Sequence, residues 1–417
     1  MKSGDKVLIN TIDKKLTGIY MPNSTKEKIF IKLDTGYNVG ILKKHIKSTK
    51  VIKAFKEKKK NLPKHTHKKG KKTITILHTG GTVASKVDYE TGGVKAHFTP
   101  EDLVEMVPEL EKIANIKTEL VSEMMSEDMM FTDYQKILKA IKKHSKSDGI
   151  ILTQGTDTLG YTAAALAFAV EETNIPILIV GSQRSSDRGS SDAAMNLICA
   201  TEYITKSGFT GVAICMHDST SDDKCAISPA TKTRKMHTSR RDAFRTINDT
   251  PIALIDYKTK NIQQIKAISK GKALKIKDKF ETSVGILKTH PNMDPKLFTF
   301  YTKNFKAIVI EGTGLGHGPT NLGKDNLKNY KILKDYIKKG GIVAITSQCL
   351  YGRVHPHVYT NLRRLADIGC IFCEDMLPET AFIKLSWLLG SYPKQAKKLL
   401  TKNLKGEINT RLNTDYL

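Results

Sequence analysis

Six apolar segments rich in β-branched residues alternate with helical segments from residue 73 onward, and this alternation limits the possible folds most strongly. The apolar segments cover residues 73–77, 149–152, 177–180, 211–215, 307–310 and 341–345. The helical patterns between them cover residues 132–143, 161–172 and 326–339. Strands that are apolar along their whole length must be buried on both faces, and the intervening helices can cover them. The pattern predicts an α/β fold with doubly wound parallel sheets.

Residues 1–52 follow a different pattern. Short alternating runs are separated by turn residues at about ten-residue spacing, which predicts a small closed all-β module resembling an SH3-like barrel. Residues 53–72 are rich in lysine and lack periodicity, which is typical of a basic linker. A second polar, lysine-rich stretch at 270–279 predicts a boundary between a larger lobe, 73–280, and a smaller C-terminal lobe, 281–417.

The charge of the chain is strongly positive and unevenly distributed. Lysine and arginine total 68 against 42 acidic residues, and residues 1–72 hold 21 lysines and only 5 acids. Such a block is either a solvated surface or a contact site for a polyanion such as RNA, and charge alone leaves both open. No apolar run approaches the roughly 20 residues of a membrane helix, and no hydrophobic N-terminal segment precedes the first module. We therefore expect a cytoplasmic protein without a membrane partner.

The six cysteines are too sparse for a disulfide scaffold, so reduced thiols are expected. Cys370 and Cys373 have the spacing of a metal site, but no second pair completes a four-thiolate zinc site. Their apolar neighbours favour core packing instead. His355 and His357 add only a weak signal, and we predict that the chain has no metal site.

Two of the predicted strands end in loops that carry threonine. A glycine pair at 80–81 precedes Thr82, and Thr156 with Asp157 follows a second strand. Glycine pairs allow a sharp turn and leave a hydroxyl free to face a cleft. Thr156 or Asp157 can instead simply cap the following helix. No Walker-type phosphate loop occurs in the sequence, so that mode of nucleotide binding is excluded.

A threonine nucleophile needs a base, and lysine can serve if its surroundings favour the neutral amine. Lys232, Arg234 and Lys235 lie close together in the sequence and are all candidates for a cationic or basic role. Spacing alone does not separate them.

The segments HTGGTVAS at 78–85 and QGTDT at 154–158 resemble the two threonine signatures of bacterial-type L-asparaginases. The resemblance covers residues 73–417, and the pairing of both motifs, each after a strand, is specific. It implies an asparaginase-like two-lobed fold and hydrolysis of a side-chain amide through a threonine acyl-enzyme.

The resemblance also implies roles for individual residues. Thr82 would be the nucleophile of the first loop, and Thr156 with Asp157 would be the second threonine and its carboxylate. Lys235 would be the base that pairs with Thr156, because it stands where the family has its lysine.

Three further residues match the family's substrate contacts. Tyr89 matches the tyrosine of a mobile loop that hydrogen-bonds the nucleophile, and Ser126 with Glu127 matches the pair that grips the α-carboxylate and α-ammonium of the substrate. Members commonly have glutamine where this chain has Glu127, although a carboxylate also suits an ammonium group.

The segments GSQRSSDRGSSD at 181–192 and MHTSRRDAF at 236–244, together with the β module, resemble a narrower family, the D subunits of archaeal glutamyl-tRNA(Gln) amidotransferases. The resemblance implies a chain that releases ammonia from glutamine or asparagine and has no cofactor of its own. It also implies a tRNA-binding partner, the E subunit, which binds Glu-tRNA(Gln) and uses ATP and Mg²⁺, and a homodimer within a heterotetramer.

Two alternatives are compatible with the same residues. A free-standing cytoplasmic L-asparaginase with an N-terminal extension would release ammonia without any tRNA-binding partner. An RNA-binding protein on a degenerate hydrolase scaffold is disfavoured, because both threonines, the aspartate and the lysine are present.

Overall fold

The computed structural model describes residues 1–2, 4–21, 24–25, 27–33, 38–55, 69–80, 86–87, 94–95, 106–184 and 190–412. The N-terminal part is an antiparallel sheet in the order β4-β3-β2-β1-β5, which confirms the predicted all-β module. Its strands are β1 Lys6–Thr11, β2 Lys15–Met21, β3 Lys28–Leu33, β4 Asn38–Leu42 and β5 Ile46–Lys53. Alternate residues of the strands, including Val7, Ile9 and Ile31, form a small core. A short 3-10 helix, Lys43–His45, leads from β4 into β5.

The larger lobe contains the next fourteen described strands and four described α-helices. The strands are β6 Thr73–His78, β7 Lys86–Val87, β8 Val94–Lys95, β9 Asn115–Leu120, β10 Gly149–Thr153, β11 Val170–Glu172, β12 Pro176–Val180, β13 Gly211–His217, β14 Lys224–Pro229, β15 Thr233–Lys235, β16 Phe244–Thr246, β17 Ala253–Asp256, β18 Ile262–Gln264 and β19 Lys275–Ile276. The helices are α1 Glu109–Ile113, α2 Phe131–Lys143, α3 Leu159–Ala169 and α4 Ala193–Lys206.

Eight of these strands form one sheet in the order β18-β17-β14-β13-β12-β10-β6-β9. Five neighbouring strands of this sheet, β9, β6, β10, β12 and β13, are parallel to one another, as predicted. Successive residues of β10 point to opposite faces: Ile150 and Leu152 enter one apolar core, and Ile151 enters the other. Burial on both faces explains why this strand is apolar at every position.

The other three strands of the sheet are antiparallel, unlike the parallel arrangement that the sequence predicts. The connection between β13 and β14 covers only residues 218–223. A parallel crossover needs a dozen or more residues, so a connection this short requires a hairpin.

The smaller lobe has a parallel sheet in the order β20-β21-β22-β23. Its strands are β20 Val284–Lys288, β21 Ala307–Gly312, β22 Ile342–Ser347 and β23 Ile371–Phe372. Its helices are α5 Pro295–Asn304, α6 Lys324–Lys338, α7 Thr360–Asp367, α8 Pro378–Ser391 and α9 Ala396–Leu400. The two lobes share an apolar core, in which Phe168 of α3 stacks on Trp387 of α8 with ring centroids 5.8 Å apart.

The stretch at 270–279 is held by both lobes. Within it, β19 pairs with β11 of the larger lobe, and the indole of Trp387 donates a hydrogen bond to the Lys277 carbonyl at 2.9 Å. The β11–β19 ladder also corrects the predicted helix at 161–172, because helix α3 ends at Ala169. The described part of the chain contains no helix long and apolar enough to cross a membrane.

Candidate active site

The order of the parallel strands identifies one edge of the large sheet as a binding position. The chain passes from β6 to β9 on one side and then returns to β10 on the other side of β6. The carboxyl ends of β6 and β10 therefore form a topological switch point, where α/β sheets bind ligands. Thr79, which follows β6, donates from its N–H and its Oγ1 to the Thr153 carbonyl at 3.1 and 3.0 Å.

Gly80 turns the chain sharply after β6. Its φ is +96°, and a Cβ there would lie 2.4 Å from the carbonyl oxygen of Met124. A side chain is therefore excluded both by backbone conformation and by space. Thr82 and Tyr89, the predicted nucleophile and loop tyrosine, lie outside the described residues.

Lys235 bridges the two predicted site residues of the second loop. Its Nζ donates to Thr156 Oγ1 at 2.9 Å and to Asp157 Oδ1 at 2.7 Å. The relative exposure is 7% for Thr156, 15% for the Lys235 side chain and 67% for the Asp157 side chain. The amine thus joins a buried hydroxyl to a carboxylate that solvent can reach.

The structure separates the three cationic candidates. Lys232 Nζ lies 2.5 Å from Asp375 Oδ2, and both side chains are fully buried between the lobes. Arg234 Nε lies 3.5 Å from Glu379 Oε1. Among these three, only Lys235 makes a described hydrogen bond to Thr156. The sequence contains no local signal for the Lys232–Asp375 pair, whose members are 143 residues apart.

Ser126 and Glu127 lie on a short 3-10 helix, Ser126–Asp128, beside the second threonine loop. The Thr158 hydroxyl donates to the Ser126 carbonyl at 2.6 Å, and a Cβ on Gly155 would lie 2.9 Å from Ser126 Oγ. Ser126 is buried against the loop, and Glu127 is exposed. The structure therefore places Ser126 next to the loop that carries Thr156.

Asp192, to which the sequence assigned no role, organises the loop after β12. Its buried carboxylate accepts hydrogen bonds from Ser182 Oγ at 2.8 Å and from the N–H groups of Gln183 and Arg184 at about 3 Å. The loop begins at Gly181, where a Cβ would lie 2.7 Å from Thr156 Cγ2. The available signal was an aspartate immediately before a helix, which usually indicates only a cap.

The cysteines predicted to pack in cores do so. Cys370 and Cys373 are buried among apolar side chains, and burial raises the pKa of both thiols to about 12. His355 and His357 are near each other, with ring centroids 5.8 Å apart. Within the described ranges, no three His, Cys, Asp or Glu side chains form a group suited to a metal ion.

His78 supports the strand end from which the first loop departs. Its Nδ1 and Thr153 Oγ1 are 2.6 Å apart, and burial lowers the pKa of its imidazole to about 4. As the pH falls, the His78 imidazole becomes protonated near pH 6.5 in the unfolded chain but only near pH 4 in the folded chain. The free energy of unfolding should therefore fall between pH 6.5 and pH 4, by up to about 3 kcal/mol.

Chemical denaturation of the His78→Gln variant over this pH range tests the assignment. The variant should show a smaller pH-dependent decrease than the unmodified chain, whereas His290→Gln, at an exposed histidine, should retain the full decrease. Equal pH dependence in both variants would assign the effect to other groups.

Three family models together match most of the chain. Residues 73–267 match the family model "Asparaginase, N-terminal", residues 283–399 match "Glutaminase/Asparaginase C-terminal domain", and residues 1–52 match "GatD N-terminal domain". The thermostable L-asparaginase from Thermococcus kodakarensis has a similar structure, with a TM-score of 0.73 and 28% identity over 81% of this chain and all of that one. L-asparaginase I from Vibrio cholerae gives a TM-score of 0.71 and 26% identity over 82% of this chain and all of that one.

Curated relatives are similar over the full length of the chain. The D subunit of the glutamyl-tRNA(Gln) amidotransferase from Methanococcus maripaludis is 42% identical over all of both chains. The corresponding D subunits from Pyrococcus furiosus and Thermococcus kodakarensis are 46% and 45% identical, over 95% and 96% of this chain and 92% and 93% of theirs. The described fold, the lysine–threonine–aspartate site and these relatives lead to one conclusion: the chain belongs to the family of glutamyl-tRNA(Gln) amidotransferase D subunits, which is built on the asparaginase fold.

Proposed function

We propose that this chain is the amidase subunit of a tRNA-dependent amidotransferase and releases ammonia from glutamine, or from asparagine. One observation carries the proposal: Lys235 joins the Thr156 hydroxyl and the Asp157 carboxylate at the switch point of the large sheet. A free-standing L-asparaginase is the second candidate, but the similar solved asparaginases cover only 81 to 82% of this chain. The full-length relatives and the matching N-terminal module favour the amidotransferase.

The proposed reaction assigns nucleophilic attack to Thr82. Its oxygen forms a bond to the side-chain amide carbon of the substrate, and N–H groups near residues 81 and 82 stabilise the oxyanion. The C–N bond then breaks, and the leaving nitrogen takes up the proton that the Thr82 hydroxyl gave up. Ammonia departs, and an ester remains on the enzyme. Water hydrolyses this ester, which gives glutamate from glutamine and restores the threonine hydroxyl.

The second threonine and its partners supply proton transfer and binding. Lys235 acts as the base that pairs with Thr156, so that Thr156 can in turn accept a proton from the Thr82 hydroxyl or from water. Asp157 and Glu127 both present carboxylates that suit the substrate's α-ammonium. In the proposed reaction Ser126, which is buried beside the loop, receives the α-carboxylate, and Tyr89 hydrogen-bonds the nucleophile.

In the proposed complex, this chain and the E subunit carry out different steps of the reaction. The tRNA-binding E subunit activates the glutamate of Glu-tRNA(Gln) with ATP and Mg²⁺, and two copies of each chain form a cytoplasmic heterotetramer. In this chain, residues 1–52 form the β module, 53–72 a basic linker, 73–280 the lobe with the active site and 281–417 the smaller lobe. The ammonia released at the site is consumed on the partner.

Reconstitution tests this function directly. The chain is combined with the E subunit, Glu-tRNA(Gln), ATP, Mg²⁺ and glutamine labelled with ¹⁵N in its side-chain amide, and ¹⁵N is followed into Gln-tRNA(Gln). Thr82→Ala should abolish transfer from glutamine while leaving transfer from added ammonium chloride intact, because the partner's chemistry does not need the nucleophile. Full hydrolysis of asparagine without any transfer to tRNA would instead support the free-standing asparaginase.

A further inference from the structure

Three segments of the N-terminal sheet meet at one end of it, and each carries exposed lysines. The Ile12 N–H donates to the His45 carbonyl at 2.9 Å, and Thr11 pairs with Ile46 in the ladder between β1 and β5. These contacts bring the turn after β1 beside the 3-10 helix and the start of β5. The five exposed lysines of this region, here called the lysine tip, are Lys14, Lys15, Lys43, Lys44 and Lys47.

The lysine tip carries a net positive charge, because its five lysines outnumber the acids of the same region: Asp13, in the turn after β1, and Glu27, whose carbonyl accepts the Lys43 N–H at 2.8 Å. In the α/β lobes, Lys143, Lys206 and Lys306 each lie 2.7 to 2.8 Å from a carboxylate. Within the described ranges, no lysine of the tip forms such an ion pair. Like charges held together repel one another and lower the stability of the fold. A cluster kept in this state is suited to a ligand that brings negative charge.

The residue type favours phosphate over protein. Lysine is depleted at the centres of protein interfaces, whereas it is a common ligand of nucleic-acid phosphates. The tip lacks the buried aromatic or arginine anchors that dominate protein hot spots. The long, exposed lysine side chains on these three segments can contact successive phosphates without contacting the bases.

We therefore propose that the lysine tip binds the phosphate backbone of tRNA. This inference rests on the proposed function, in which Glu-tRNA(Gln) is the polyanion that reaches the complex. Contacts to the phosphate backbone hold the RNA without regard to its sequence. They weaken steeply as the salt concentration rises, because the release of counterions from the RNA then becomes less favourable. The tip thus contributes affinity and orientation rather than discrimination between tRNAs.

The test compares two variants of the full-length chain that lose the same five charges. In the tip variant, the five lysines of the tip are replaced by glutamine. In the control variant, glutamine replaces five exposed lysines on or next to α6 of the smaller lobe that have no ion pair in the described structure: Lys324, Lys331, Lys334, Lys338 and Lys339. Binding of a fluorescently labelled tRNA(Gln) transcript is measured from about 50 to 300 mM KCl, a range in which phosphate contacts respond strongly to salt.

We expect the tip variant to bind at least about tenfold more weakly than the unmodified chain near 100 mM salt. The slope of log affinity against log salt should become shallower by about 3.5 to 4.5, if all five lysines contact phosphates. The control variant should change little. An excess of an unrelated tRNA should compete as well as tRNA(Gln), because the contacts carry no sequence information.

Three results would overturn the assignment: absence of tRNA binding by the unmodified chain, equal losses in both variants, or a tip variant that binds tRNA normally. If the tip variant binds tRNA normally but fails to assemble with the E subunit, the tip is a protein-docking surface. Glutamine hydrolysis by the unmodified chain is measured in parallel. Hydrolysis without tRNA binding overturns only the tip assignment, whereas tip-dependent binding without amide hydrolysis overturns only the proposed function.

Discussion

Replacing Lys235 with methionine should lower kcat for glutamine hydrolysis by about 10²- to 10⁴-fold, the range typical of a lost proton-transfer group. Methionine keeps much of the length of the side chain but cannot hydrogen-bond to Thr156 or Asp157, whose oxygens lie 2.9 and 2.7 Å from the lysine amine. Steady-state kinetics with glutamine measures the effect, and chemical denaturation checks that the fold is retained.

Lys136→Met is a matched control for this prediction. Lys136 also donates to an aspartate, with 2.8 Å between its Nζ and Asp133 Oδ1, but it lies on α2 outside the site. Its replacement should leave kcat unchanged. Near-normal turnover of Lys235→Met would rule out the proposed role of Lys235, and a Lys235→Arg variant with activity restored would assign only a positioning charge to it.

Lys232→Met should strongly lower the free energy of unfolding. This change leaves the carboxylate of Asp375 buried without its cation, and breaking such a pair typically costs about 3 to 5 kcal/mol. Adding Asp375→Asn should recover part of the loss, since the amide oxygen can still accept the Asn409 N–H that Asp375 Oδ1 accepts at 3.0 Å. Free energies of unfolding from urea titrations measure both variants.

A less buried ion pair, within the larger lobe, provides the comparison. Lys266 Nζ lies 2.5 Å from Asp249 Oδ2, but its side chain is 32% exposed. Lys266→Met should cost no more than about 1 kcal/mol, because water can solvate the aspartate that remains. Equal losses for Lys232→Met and Lys266→Met would contradict the argument from burial.

The sequence predicted the elements whose pattern is local. Each of the six apolar segments became a strand, because burial on both faces leaves a continuous apolar run. The antiparallel strands at the edge of the sheet were missed because they lack such a run. Strand β17 alternates between buried and half-buried residues, and β18 is mostly exposed. The end of α3 was also missed, since the β11–β19 ladder that replaces its last turn depends on residues about a hundred positions away.

For the candidate site, the sequence predicts the residues of a compact motif but not which residues pair when they are far apart in the chain. Thr156 and Asp157 are neighbours in a recognisable segment, but Lys232, Arg234 and Lys235 are equivalent by spacing. The family resemblance selects Lys235, and the fold gives the physical reason by bringing Lys235 to a residue 79 positions earlier and Lys232 to one 143 positions later. Chain topology decides such pairings, and a single sequence does not encode it in any local pattern.

The segment at 270–279, between the two lobes, affects how the molecule unfolds. Because β19 continues a ladder of the larger lobe while the Lys277 carbonyl accepts a bond from the smaller one, the connection cannot loosen without disturbing both. The stacked Phe168 and Trp387 add apolar surface that neither lobe can bury alone. We therefore expect the two lobes to unfold as one cooperative unit, so that partial opening that exposes one interior exposes the other as well.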